Sequence, residues 1–209
     1  MLRRIAGELT EHAPFTASGA VTGIIIMVII IWSGVLSQIA QASYAIFYIL
    51  HPAHVVLSAM VTTALYKKYG NSKIWAATLV GYFGAVGIAT ISDSLIPYLG
   101  EILMVLPNRE VHVGFIEEWW IVNPAALIGI IAGYLTQKTR VPHYGHVLIS
   151  TWASLFHIIM ALGSAVSWLT LAGIFVFLFL SVWVPCCLSD IIFPLLCVRQ
   201  GERNITAFH

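Results

Sequence analysis

The chain has 209 residues, 59% hydrophobic and only 9% charged, where a soluble domain carries about 25% charged residues, so an ordinary soluble globular protein is excluded. A mean hydropathy of +0.91 and a net charge of +1 leave no basic face for a phosphate backbone and exclude nucleic-acid binding. The pattern is that of a one-domain, all-α polytopic membrane protein.

Residues 1–13 mix Arg3, Arg4, Glu8 and Glu11 with Leu2, Ile5 and Leu9, which predicts a cytoplasmic amphipathic segment lying on the membrane surface. Six apolar runs follow, at 15–37, 44–66, 74–99, 119–137, 144–163 and 167–198, each near or above the roughly 20 residues a spanning helix needs. The first ends near Ala40-Gln41-Ala42 but is too long for a signal-peptide core, so it reads as a span. Arg3, Arg4, Lys67, Lys68, Lys73, Lys138, Arg140, Arg199 and Arg203 all fall on one side of a six-span layout. The opposite loops carry Arg109 alone, beside Glu101, Glu110, Glu117 and Glu118. Retention of Lys and Arg in the cytoplasm then predicts both termini inside, in a plasma (inner) membrane. Residues 100–118 form the extracytoplasmic loop and 199–209 a cytoplasmic tail. Trp119 and Trp120 suit an interfacial anchor. Glu117, Glu118 and His112 read as solvated loop residues, with cation recruitment as the alternative. Cys186, Cys187 and Cys197 lie in the last apolar run and read as reduced, packed thiols, with soft-metal ligation as the alternative.

Three elements recur in the same order. Pro14, Gly19 and Gly23 share the spacing P-x4-G-x3-G with Pro124, Gly129 and Gly133. His51-Pro52-Ala53-His54-Val55-Val56-Leu57-Ser58 returns as His143-Tyr144-Gly145-His146-Val147-Leu148-Ile149-Ser150. Ser92-Asp93-Ser94-Leu95-Ile96-Pro97 returns as Ser189-Asp190-Ile191-Ile192-Phe193-Pro194. Matched Leu or Gly residues carry little weight in apolar helices, but His and Asp are scarce there. Residues 14–99 and 119–198 therefore read as a duplicated three-helix unit. An odd number of spans inserts the second copy upside down, which makes an inverted-topology repeat.

On a helix that advances 100° per residue, His51, His54, Ser58 and Thr62 form one polar stripe, and His143, His146, Ser150, Ser154 and His157 form another. Polar groups facing lipid would each lack a partner, so both stripes are expected to face inward. Asp93 and Asp190 are the only carboxylates within the predicted spans, and such residues are functional candidates by default. The predicted site is thus two sets, His51, His54 and Asp93 toward the outer leaflet and His143, His146 and Asp190 toward the inner one. Ser58, Thr62, Ser150, Ser154 and His157 would line the path between them.

Nitrogen and oxygen ligands of this kind suit a divalent transition metal, with zinc, iron, nickel, cobalt and manganese all open. Imidazole also handles protons near neutral pH, so metal binding and proton relay remain side by side. The expectation is a transporter or channel moving a divalent metal cation between two inverted repeats, with proton coupling, in contact with the lipid bilayer and open to homo-oligomer formation. The alternative is an intramembrane metal-dependent enzyme, a lipid hydrolase or oxidase. It explains the ligand types but not their inverted duplication, and no H-E-x-x-H signature is present. Haem ligation fits less well, because two histidines three apart on one helix cannot clamp one ring from both sides.

Overall fold

The computed structural model describes residues 2–69, 73–136, 140–163, 166–188 and 192–197, and among these it is helical without strands. Five helices are long and apolar enough to cross a membrane. They are α1 (Leu2–Trp32, apolar from Ala13), α2 (Leu36–Tyr69), α3 (Ile74–Leu103), α5 (Trp119–Thr136) and α7 (Trp168–Cys187). The fifth of the six predicted spans is α6 (Arg140–Ala161), whose apolar part Gly145–Ala161 is shorter than the others. Two short helices complete the set, α4 (Gly114–Glu117) and α8 (Phe193–Cys197).

Several boundaries differ from the sequence expectation. Residues 2–32 form one continuous helix, so the surface segment and the first span are not separate elements, and Pro14 is accommodated inside it. The side chains that would make residues 1–9 amphipathic lie outside those described. The first turn comes at Gly34, ten residues before the expected start of span two. Gly34 has φ +68°. Its N–H reaches Ile31 O (3.1 Å) while Val35 N–H reaches Ile30 O (3.4 Å), the pair of bonds that closes a helix on a left-handed residue. A second such ending stops α3 at Leu103, four residues past its expected end. There Leu106 N–H reaches Glu101 O (2.9 Å) around Val105 at φ 55°. A β-branched residue resists that conformation by about 1–2 kcal/mol, and the buried Leu106 side chain holds the turn in place. The last predicted span, 167–198, divides into α7 and α8.

Within α3 the helix loosens twice into π turns, at Phe83–Gly87 and at Ile91–Leu95. Pro97 explains the second, since it cannot donate to the carbonyl four residues earlier, that of Asp93.

α2 is the hub. It packs most heavily on α6 and α5, whereas α1 packs on α7 and α6 and barely on α2. Helices inside a bilayer gain little from apolar burial against each other, so close approach and van der Waals contact must do the joining. Gly129 and Gly133 of α5 lie directly on the backbone carbonyls of Val56 and Met60 in α2. A Cβ at Gly19 of α1 would stand 2.8 Å from Thr151 Oγ1 of α6. At the far end of α2, Lys67 Nζ donates to Tyr134 O (2.6 Å) and lies over the Tyr134 ring. Met27, Leu155, Ile158, Ile174 and Leu178 fill a core shared by α1, α6 and α7.

Backbone cannot yield as a side-chain tip can, so Gly133→Val should cost about 3 kcal/mol, the upper part of the overpacking range. It is expected to lower the thermal unfolding temperature in detergent. Gly87→Ala, where a Cβ meets nothing within 4 Å, should change stability by less than about 0.5 kcal/mol.

Candidate functional site

Both predicted stripes face inward. His51, His54, Ser58 and Thr62 of α2 and His146, Ser150, Ser154 and His157 of α6 are all buried, as is Asp93 of α3. The side chain of His143 and the whole of Asp190 lie outside the described residues.

Asp93 organises the centre. Its Oδ2 accepts from His51 Nδ1 (2.9 Å) and His54 Nδ1 (2.8 Å), and its Oδ1 accepts from Ser92 Oγ (2.7 Å) and Ser150 Oγ (2.7 Å). A carboxylate offers about four lone-pair positions, and these four donors occupy them. The contacts assign the tautomers, because both histidines must carry hydrogen on Nδ1 to donate, which leaves Nε2 as the nitrogen able to accept a proton or a metal. The π turn makes the arrangement feasible. Ser92, Asp93 and Ser94 are consecutive and all buried, and in the widened turn each finds a different partner. Ser94 faces His157 and His112, while Ser92 offers its carbonyl to Ser154 Oγ (3.0 Å). Such turns often mark functional positions.

His54 and His146 stack with ring centroids 5.6 Å apart. Together with Cys186 of α7 they form a buried group whose donor atoms all lie within 4.8 Å of one another, an arrangement that could hold a metal ion. The two predicted sets therefore touch at His54 and His146. His51 and Asp93 belong to the adjoining hydrogen-bond network. Cys186, read as packing from the sequence, is part of the candidate group.

A second cluster was hidden in the predicted loop. Glu101 is fully buried, and its Oε1 accepts from His157 Nδ1 (2.7 Å). His157 Nε2 faces Ser94 Oγ (3.4 Å), which also accepts from the His112 backbone N–H (3.2 Å). A cleft of about 350 Å³ opens beside Glu101, His157, His112 and Glu117. Glu117, expected to be solvated, is exposed and also joins α4 to α2. Its Oε2 accepts from Tyr48 OH (2.5 Å) and His112 Nδ1 (3.1 Å), and its Oε1 accepts from Val113 N–H (2.8 Å). Partial burial pushes the Glu117 carboxyl up, but the Tyr48 hydroxyl, the Val113 amide and His112 outweigh it and hold the group below the usual carboxylate range. No protein family, curated protein or solved structure matches the chain.

Three outcomes follow from these contacts. Asp93→Asn leaves the histidine donors without a charged acceptor and is expected to destabilise the fold by about 3 kcal/mol or more. Ser150→Ala, which removes one of four donors, should cost about 2 kcal/mol. Denaturation in detergent checks both the order and the size. Because the Glu117 value is lowered on folding, its contribution is present above the ordinary carboxylate range and is lost as pH falls through the lowered value. Trp119 and Trp120 fluorescence should report an acid transition that Glu117→Gln removes.

Proposed function

We propose that the chain is a membrane transporter for a divalent transition-metal cation, in which His54, His146 and Cys186 hold the ion between two inverted three-helix units. The carrying observation is the meeting of these three donors, from α2, α6 and α7, in one buried group.

The repeat reading draws support from reciprocal contacts. His54 and His146 occupy the same position of the repeated H-x-x-H-V motif, and residues related by a two-fold axis touch only close to that axis. The equivalent glycines behave alike. Gly19 approaches Thr151, and Gly129 approaches Ala59 (2.8 Å for an added Cβ), where Ala59 and Thr151 each follow the second histidine of their motif by five residues. Secondary transporters place their substrate at such a repeat interface. On this reading both termini lie in the cytoplasm, and the cleft beside Glu101 opens to the outside.

Two imidazoles and one thiolate favour zinc over manganese and leave a fourth position open, as release of a cargo requires. Asp93 acts as a positioning residue. By accepting from His54 Nδ1 it orients the ring and raises the basicity of Nε2, the role carboxylates play behind metal-bound histidines.

The metalloenzyme reading is favoured by one observation, that His54, His146 and Cys186 form one buried group, since an open ligand position also suits a metal-bound water. It requires turnover without net metal movement.

Cobalt separates these readings. Wild-type protein should bind Co²⁺ with a thiolate-to-metal absorption band that Cys186→Ser abolishes, and wild-type vesicles should accumulate the ion. His54→Ala and His146→Ala should each lower affinity and flux by about tenfold or more, with Asp93→Asn in the same range. Undiminished flux in the double variant His54→Ala/His146→Ala would falsify the transport reading, and binding without flux would favour the enzyme.

A further inference from the structure

The Glu101–His157 pair lies outside the candidate metal group and has no part in holding the ion. Glu101 comes from the last turn of α3 and His157 from α6. Both are buried, and Oε1 takes the His157 Nδ1 hydrogen. Glu101 Oε2 has no hydrogen-bond partner among the described residues, although its residue lines the cleft. An ionised carboxylate with one oxygen in that state is costly, by several kcal/mol if nothing else reaches it. A proton on Oε2 removes the charge and leaves the bond to His157 in place.

We infer that Glu101 and His157 form a proton-binding site loaded from the cleft and, resting on the transport reading, that this proton is the coupling ion. With His157 neutral, donating Nδ1–H and accepting at Nε2 from Ser94, the pair carries one negative charge. A hydronium ion in the cleft gives its proton to Glu101 Oε2 and leaves as water, which neutralises the pair. Release to the cleft reverses the step. Ser94 sits next to Asp93 in the π turn, and Ser154, one turn before His157 on α6, bonds the Ser92 carbonyl. A charge change at the pair is therefore felt through two neighbouring bonds by the residues that orient His54. The titratable groups facing the pair are Tyr44 of α2, Glu110 and His112 of the connecting segment, and Glu117 of α4. Three of these are carboxylates or imidazoles that can pass protons on from solvent. The His112 ring stands 5.4 Å from that of His157, edge to face.

Infrared difference spectra of the purified full-length protein, taken between about pH 9 and about pH 4, span the range in which carboxyl and imidazole groups titrate. They should contain a protonated-carboxyl band that moves in D2O. Glu101→Gln should remove that band and Glu117→Gln should leave it. His157→Asn should shift its frequency, because the bond to Oε1 is gone. Coincident wild-type and Glu101→Gln spectra would overturn the site, and Glu101→Asp, which keeps the acid but shifts the band, guards against misfolding of the amide variant. In vesicles containing a pH dye, the protons moved per Co²⁺ should fall about tenfold or more in Glu101→Gln, as expected on losing a relay carboxylate. An unchanged ratio would overturn the coupling role. If wild-type vesicles carry no Co²⁺, the transport reading fails, and the carboxyl band still decides whether the pair binds a proton.

Discussion

A carboxylate buried inside a helical bundle must be saturated with donors, and Asp93 sets the terms for everything around it. One ion in that setting, left alone, costs more than the whole stability of a typical domain can offset. The four donors come from three helices: two imidazoles from α2, one hydroxyl from α6 and one from α3 itself. Meeting that demand fixes the rotation of α2 and α6 about their own axes and draws their polar stripes together. It also requires α3 to present three consecutive polar side chains inward, which a regular α turn cannot do and the π turn at Ile91–Leu95 can.

Packing serves the same end by a different force. Little separates a leucine in lipid from a leucine in a helix interface, so α5 is held to α2 by glycines that bring backbone onto backbone. The reciprocal approach of α1 to α6 through Gly19 follows the same rule with a threonine as the opposing surface. α1 and α5 thus each grip a helix that carries histidines, α1 through Gly19 on α6 and α5 through Gly129 and Gly133 on α2. The histidine-bearing helices α2 and α6 are left facing each other, and the rings of His54 and His146 meet where they do because nothing bulkier intervenes.

The polar stripes, the importance of Asp93 and the membrane class were legible because they rest on scarcity, and a histidine or aspartate in an apolar helix has few reasons to be there. What was illegible depended on where helices stop and on which distant residues meet. Glu101 falls in the predicted loop 100–118, yet α3 runs on to Leu103 and carries it inside. Its partner His157 stands on the predicted stripe of α6, and a buried imidazole there calls for a hydrogen-bond partner, which Glu101 supplies. Gly34 was a readable helix terminator that a hydropathy window of about 20 residues blurs. Cys186 could be placed only by the fold, because a thiol in an apolar run looks the same whether it faces leucine or imidazole. The contact between His54 and His146 was illegible for a related reason. Motif order along the chain says which helix a residue is on, but the depth at which two helices cross is a packing result.

The two polar clusters differ in chemistry in a way that suits different occupants. At His54, His146 and Cys186 the donors are soft nitrogen and sulfur, and no carboxylate belongs to the group, a set that discriminates against hard cations such as magnesium and calcium. Beside Glu101 the donors are oxygen and imidazole nitrogen opening to a cleft, suited to a proton and too dispersed to chelate a metal by themselves. Asp93 stands between them, its oxygens saturated by four donors. Since Ser94 and Ser154 lie between the Glu101 cluster and the residues that hold Asp93, a charge at one end changes the electrostatic cost of a charge at the other. By linkage that coupling must act equally in both directions. The scarcity of charge in the surrounding apolar helices keeps it from being screened, because few charged side chains lie nearby to compensate.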